Sequence, residues 1–259
     1  MWDSAFSSPE ILVVVIAAGA FCLGGIIKGA MGFGLPLLAI PAVTAAHSLP
    51  MALSIAVIPV VATNLWQLWA FRDARAEATL LPAFLIPGTG GLIFGVFALS
   101  QVRDAYLEIA LGGLVLSYLA VRMRGARGVR PRWANTRLAP VFGGIAGAVH
   151  GATGLSGLVG TPYFHALALN RPVFVFCNGA MFTLFSALQA PTLWALGLYQ
   201  PSAIWMGALA LPAAFIGLWI GGTLGARLKS EAFSRAVLII LALAAIIPVW
   251  NGLRDLLAA

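Results

Sequence analysis

Two basic side chains sit where an apolar chain accommodates charge least well. Lys28 closes the apolar run 11–28, and His150 closes the run 138–150. Each stands beside a cluster of glycines. A cation within a bilayer is costly, so such a residue is by default a functional hypothesis, and an anion is its natural partner. The competing reading for Lys28 is a side chain reaching back to the lipid interface. For His150 it is a neutral imidazole satisfied by a backbone carbonyl. A histidine titrating near neutral pH would also link protonation to anion binding.

Gly24, Gly25, Gly29, Gly32 and Gly34 surround Lys28, and Gly143, Gly144, Gly147, Gly151, Gly154 and Gly157 surround His150. A helix broken at such a point exposes N-terminal N–H groups, which together with the helix dipole form an anion site. The same glycines would also let helices pack closely, and both readings stay open at this level. Thr153 and Ser156 add hydroxyl donors. Gln67 and Gln189, with Asn64 and Ser186 one turn earlier, either donate to anion oxygens or bond helix to helix. The candidate substrate-binding set is therefore Lys28, Gly29, Gly32, Gly34, Gln67, His150, Gly151, Thr153, Gly154, Ser156 and Gln189. His47 and His165 lie near segment ends, where ordinary roles are expected.

The acids inform by position. All 8 aspartates and glutamates fall at or near the ends of apolar runs. A carboxylate proton relay or sodium site is not expected, and a site with cations and no deep acid suits an anionic substrate. Cys22 and Cys177 lie inside apolar runs and form no CxxC pair, so packing is their expected role. No HExxH, P-loop or dinucleotide motif is present, and neither cofactor nor metal is expected.

These residues must be positioned by membrane helices. The 259 residues are 61% hydrophobic and only 9% charged, with a mean hydropathy of +0.98; soluble domains carry roughly 25% charge. Continuous apolar runs, not alternating ones, exclude a β-barrel. Most runs are long enough to span a bilayer, whereas 34–48, 138–150 and 155–169 are short and fit broken or re-entrant segments. The fold expected is all-α and polytopic. The N-terminus MWDSAFSSPE lacks a basic region, so the first run is expected to be retained. A net charge of +7 is read as topology signal and lipid contact, since the charges lie between apolar runs and form no basic stripe with exposed aromatics. Nucleic acid is rejected as a partner.

The halves resemble each other. A shift of 122 positions superposes Gly25 on Gly147, Gly29 on Gly151, Gly32 on Gly154, Pro50 on Pro172, Gln67 on Gln189 and Lys28 on His150. The division expected is residues 1–121 as a first repeat, 122–137 as a cytoplasmic linker rich in arginine, and 138–259 as a second repeat. With that linker inside, Arg72 and Arg75 fall inside. Arg227, Lys229 and Arg235 are also inside only if 138–169 enters and returns. Each half then crosses an odd number of times, and the two are inverted, each with a broken glycine-rich hairpin and three long helices.

The segments GGIIKGAMGFGLPLLAIP (24–41) and GGIAGAVHGATGLSGLVGTP (143–162), with ALNRP (168–172) and the arginine-rich linker, resemble the TauE/SafE family of sulfite and organosulfur anion exporters. Leu155, Ser156 and Leu158 interrupt the glycine run common in the family's second signature. The resemblance implies a multi-pass transporter of the bacterial inner membrane for sulfite, sulfoacetate or related sulfonates, working by alternating access. Its partners would be the small anion and the lipid bilayer, and a homo-oligomer is compatible with the sequence. Two alternative readings remain open. Gly154-Leu155-Ser156-Gly157 is similar to the GxSG nucleophile motif of rhomboid-type intramembrane serine proteases, with His47, His165 or His150 as the base. The repeat aligns Ser156 with Gly34, which makes Ser156 half of a symmetric feature, and the enzyme reading is set aside. The other alternative is a structural membrane protein without transport.

Overall fold

The computed structural model describes residues 8–123, 135–228 and 231–257, with side chains over 11–120, 135–223 and 238–257. Arg124, Arg127, Arg130 and Arg132 of the linker, and Lys229, lie outside the described residues, as do the side chains of Arg227 and Arg235. Every described element is helical.

The first hairpin is α1 (Ser8–Met31) and α2 (Leu35–Ala46), and three longer helices follow: α3 (Leu49–Ala70), α4 (Leu81–Gln101) and α5 (Asp104–Met123). The second hairpin is α6 (Ala139–Thr153), a short turn at Ser156–Leu158 and α7 (Gly160–Ala166). It is followed by α8 (Arg171–Ala195), α9 (Ser202–Leu228) and α10 (Glu231–Leu257). Among the described residues, six helices are long and apolar enough to cross a membrane, one each within α1, α3, α4, α8, α9 and α10. At 1.5 Å per residue, the 20 residues of α5 reach about 30 Å, the depth of a hydrocarbon core.

Local chemistry explains the boundaries. Ser48 caps α3, its hydroxyl accepting from the Met51 N–H at 3.4 Å, and Asn170 caps α8, accepting from the Val173 N–H at 3.0 Å. Pro50 and Pro172 follow in each first turn, where a missing N–H costs nothing. These two caps are equivalent positions of the two halves.

The hairpins pack on helices of the opposite half. Along α1, Gly25 lies on the Ala214 carbonyl and Gly29 on the Leu218 carbonyl and Gly222 N–H of α9. Along α6, Gly147 lies on the Gly88 carbonyl and Gly151 on the Leu92 carbonyl and Val96 N–H of α4. Both pairs run parallel, because the contacts advance together along the two helices. Positions in the hairpin helices match at 122, whereas those in α4 and α9 match at 126, bringing Gly91-Leu92 and Gly95 onto Gly217-Leu218 and Gly221. An ungapped shift could not find that second register. Helix α5 runs antiparallel to α10, with Gly252 on Ala105 and Gly112 on Ala245 and Val249.

Three contacts group the chain's turns. Asn170 donates to Glu77 Oε2 at 2.9 Å, joining the turn after α3 to the start of α8. The Gln200 N–H donates to Ser54 Oγ at 3.3 Å, joining the turn between α8 and α9 to the start of α3. Tyr163 of α7 stacks on Phe142 at the start of α6, with ring centroids 4.6 Å apart, and donates to the Asn135 carbonyl at 3.0 Å. The second hairpin thus returns to the end from which it entered. Trp66, Trp69, Trp194, Trp219 and Trp250 are exposed on the bundle exterior, where indole rings suit the lipid boundary.

Candidate functional site

Each hairpin breaks just after its basic residue, and by the same device. The Gly32 N–H returns to the Lys28 carbonyl at 2.7 Å, and the Gly154 N–H to the His150 carbonyl at 2.6 Å. Gly32 has φ 88 and Gly154 φ 71, a left-handed conformation that strains L side chains. Gly34, with φ 115, then opens α2. Each break is held by the other half: Gly32 abuts Val175 of α8, and Gly154 abuts Leu53 of α3. Val175 and Leu53 are themselves equivalent, so this contact is reciprocal.

Lys28 is 1% exposed. Its Nζ donates to Thr63 Oγ1 of α3 at 3.2 Å, and the Thr63 hydroxyl donates to the Pro59 carbonyl at 2.6 Å. Among the described residues Lys28 has no carboxylate partner. The interface-reaching reading of Lys28 does not fit this burial. One turn on, Gln67 Nε2 donates weakly to the Gly32 carbonyl at 3.4 Å, and Gln67 Oε1 is buried without a partner. Asn64 spends its amide on the Val60 carbonyl at 2.7 Å.

The second half is better satisfied. His150 is 1% exposed, with Nδ1 2.9 Å from Ser156 Oγ and Nε2 3.3 Å from Ser186 Oγ. A neutral imidazole carries one donor and one acceptor, and two hydroxyls can serve either tautomer. Gln189 Nε2 donates to the His150 carbonyl at 2.8 Å and the Gly151 carbonyl at 3.3 Å. The His150 carbonyl also accepts from the Gly154 N–H, and the Gly151 carbonyl lies in the last turn, where helical donors run out. Thr153 Oγ1 donates to the Val149 carbonyl at 2.7 Å.

The tips of the two hairpins border a small, partly open pocket. Phe33, Gly34, Pro36 and Leu37 line it from the first hairpin and Leu155, Gly157 and Leu158 from the second, with Tyr118 of α5 and Phe182 of α8. The surface lining it is apolar, and neither Lys28 nor His150 is among the lining residues. The helix ends contribute little to an anion site. Pro36 has no N–H, the Leu37 N–H is occupied by the Gly34 carbonyl at 3.2 Å, and α7 has only 7 residues. Gly29 and Gly151 face α9 and α4, not the tips, so close packing accounts for them.

Two buried polar groups stand outside the candidate set read from the sequence. Thr63, the partner of Lys28, is matched across the repeat by Phe185, so symmetry does not single it out. Its spacing of four from Gln67 on one helix face was the available signal. Glu108 lies near the start of α5, as expected of an acid, yet it is 8% exposed and its Oε2 has no partner.

The Ser156–His150 contact has the length of a nucleophile–base pair. However, Ser156 is 0% exposed, the adjoining cavity is carbon-lined, and the other imidazole nitrogen meets the hydroxyl of Ser186, where a triad would have its orienting carboxylate.

A family model described as Sulfite exporter TauE/SafE matches residues 16–247. No curated protein and no solved structure gives a match to the chain.

Proposed function

Because the chain belongs to the TauE/SafE family, whose members are membrane transporters and not enzymes, we propose that it carries small sulfur-containing anions, sulfite or organosulfonates, by alternating access. Its multi-pass character follows from the six apolar helices and the family. The observation that carries the substrate reading is Lys28, a buried amine with one hydrogen bond and no counter-charge among the described residues. An anion on Lys28 would supply that charge, with Thr63 and Gln67 beside it. His150, Ser156, Ser186 and Gln189 would hold the second hairpin in its turned state, with Thr153 and Gly154 closing α6.

The mechanism proposed has two inverted halves. Several contacts support it. The parallel pairing of α1 with α9 is matched by that of α6 with α4, and Gly32 on Val175 is matched by Gly154 on Leu53. With the linker inside, the turn holding Arg72 and Arg75 and the start of α8 at Arg171 share that side, in keeping with their Asn170–Glu77 bond. The 199–202 turn lies opposite. The 15- and 7-residue arms of the second hairpin are too short to cross and would meet the first near the midplane. Rocking of the α1–α9 pair against α4–α6 would open the apolar cavity to either side. The membrane proposed is the bacterial inner membrane.

The test is flux in proteoliposomes. Substrate-dependent movement of labelled sulfite or a sulfonate is expected, and Lys28→Met should strongly reduce it. No flux and no binding across a panel of sulfur anions would refute the substrate class.

A further inference from the structure

The surroundings of Lys28 ask for more than a bare anion. The Lys28 Nζ has three N–H bonds, of which the Thr63 hydroxyl takes one. Gln67 is 5% exposed, and its Oε1 is an acceptor that no donor reaches. The amide cannot be turned to cure this, because its Nε2 faces the Gly32 carbonyl and a turned amide would set oxygen against oxygen. Lys28 meets Thr63, and Gly32 meets Gln67. Thr63 and Gln67 are one turn apart on α3, about 5.4 Å along its axis, so a small molecule that reached both rungs would meet spare donors at one and a spare acceptor at the other.

A fully deprotonated anion without its own donor would satisfy Lys28 and leave Gln67 Oε1 facing negative oxygen. A buried acceptor left unpaired is costly, and sites built around one discriminate strongly against ligands that cannot fill it. We infer that the preferred substrate is an anion carrying its own O–H or N–H group, placing acidic oxygens on Lys28 and that donor on Gln67 Oε1. This rests on the reading of Lys28 as the anion site and narrows its substrate class. Hydroxy- and amino-alkanesulfonates have the required pattern, as does singly protonated sulfite.

The experiment compares 2-hydroxyethanesulfonate with propane-1-sulfonate, which have equal numbers of heavy atoms and differ by hydroxyl for methyl. Binding to the full chain in nanodiscs is measured by titration calorimetry, with 2-aminoethanesulfonate as the N–H arm. The hydroxylated or aminated sulfonate is expected to bind at least about ten-fold more tightly. Gln67→Met should bring that ratio close to one. Equal affinities in the unmodified protein would overturn the inference, with no variant needed. A preference that persists in a folded Gln67→Met protein would also overturn it. Absence of binding by all three is a different result, and it would overturn the sulfonate reading of the site itself.

Discussion

Lys28→Met separates a binding lysine from a structural one, because the two roles predict opposite signs for stability. Burying an ionised amine costs several kcal/mol after relaxation. The offset in this protein is one hydrogen bond, to Thr63 at 3.2 Å, worth about 1.5–3 kcal/mol. Methionine fills a similar volume with no charge. The Thr63 hydroxyl keeps its bond to the Pro59 carbonyl, so the change leaves no orphan behind. The variant should therefore gain about 1–3 kcal/mol, in line with apolar replacements of other buried charges, and melt roughly 2–4 °C higher per kcal/mol. Transport should move the other way. Loss of a charge-assisted hydrogen bond of about 1.5–3 kcal/mol weakens substrate affinity roughly 10- to 150-fold. A thiol-reactive dye reports melting, since Cys177 is free and buried; flux into proteoliposomes reports transport. A variant that melts lower, with flux per folded molecule unchanged, would refute the reasoning and make Lys28 a structural residue.

The seam between α4 and α6 predicts a contrast between adjacent glycines. A Cβ at Gly143 would fall inside the Phe84 carbonyl, whereas at Gly144 it would lie 3.9 Å from the Pro87 carbonyl. Gly143→Ala should cost about 1–3 kcal/mol or more through overpacking and Gly144→Ala almost nothing, as read by melting and yield of folded protein. Gln189→Leu removes the donor to the His150 and Gly151 carbonyls; the His150 carbonyl keeps its bond from the Gly154 N–H, so the change should destabilise by about 1–3 kcal/mol through the Gly151 carbonyl, and Gln189→Glu, which cannot donate there, should not rescue it. Single cysteines at Arg75 and Ser202, in a background lacking Cys22 and Cys177, should react with an impermeant thiol reagent from opposite sides of the membrane. Reaction of both from one side would sink the inverted arrangement. A serine-reactive phosphonate should leave Ser156 unlabelled, and Ser156→Ala should retain transport with a stability loss of about 1 kcal/mol from the His150 contact.

Some of the site was legible from residue type and spacing alone. Lys28 and His150 stand out because charge and imidazole are rare in apolar runs, and the 122-position register pairs them before any coordinates. The register also pairs Gln67 with Gln189. Ser48 and Asn170, the caps of α3 and α8, obey the same register. The roles within those pairs were not legible, because a repeat equates positions without fixing their partners. Lys28 meets Thr63, whose counterpart is Phe185, and His150 meets Ser156, whose counterpart is Gly34. Lys28 therefore keeps spare donors, while both ring nitrogens of His150 are engaged.

The sequence by itself determined that this chain is helical and membrane-embedded, and that glycine clusters stand beside Lys28 and His150. Those properties follow from hydropathy, charge placement and local backbone preference, which act over a few residues. Only the tertiary structure decided which glycines serve the breaks and which serve the seams. Gly32 and Gly154 carry positive φ, whereas Gly29 and Gly151 press against the backbones of α9 and α4. A missing Cβ reads identically in both settings, and the difference lies in what occupies the space beside it, which is supplied by helices distant along the chain.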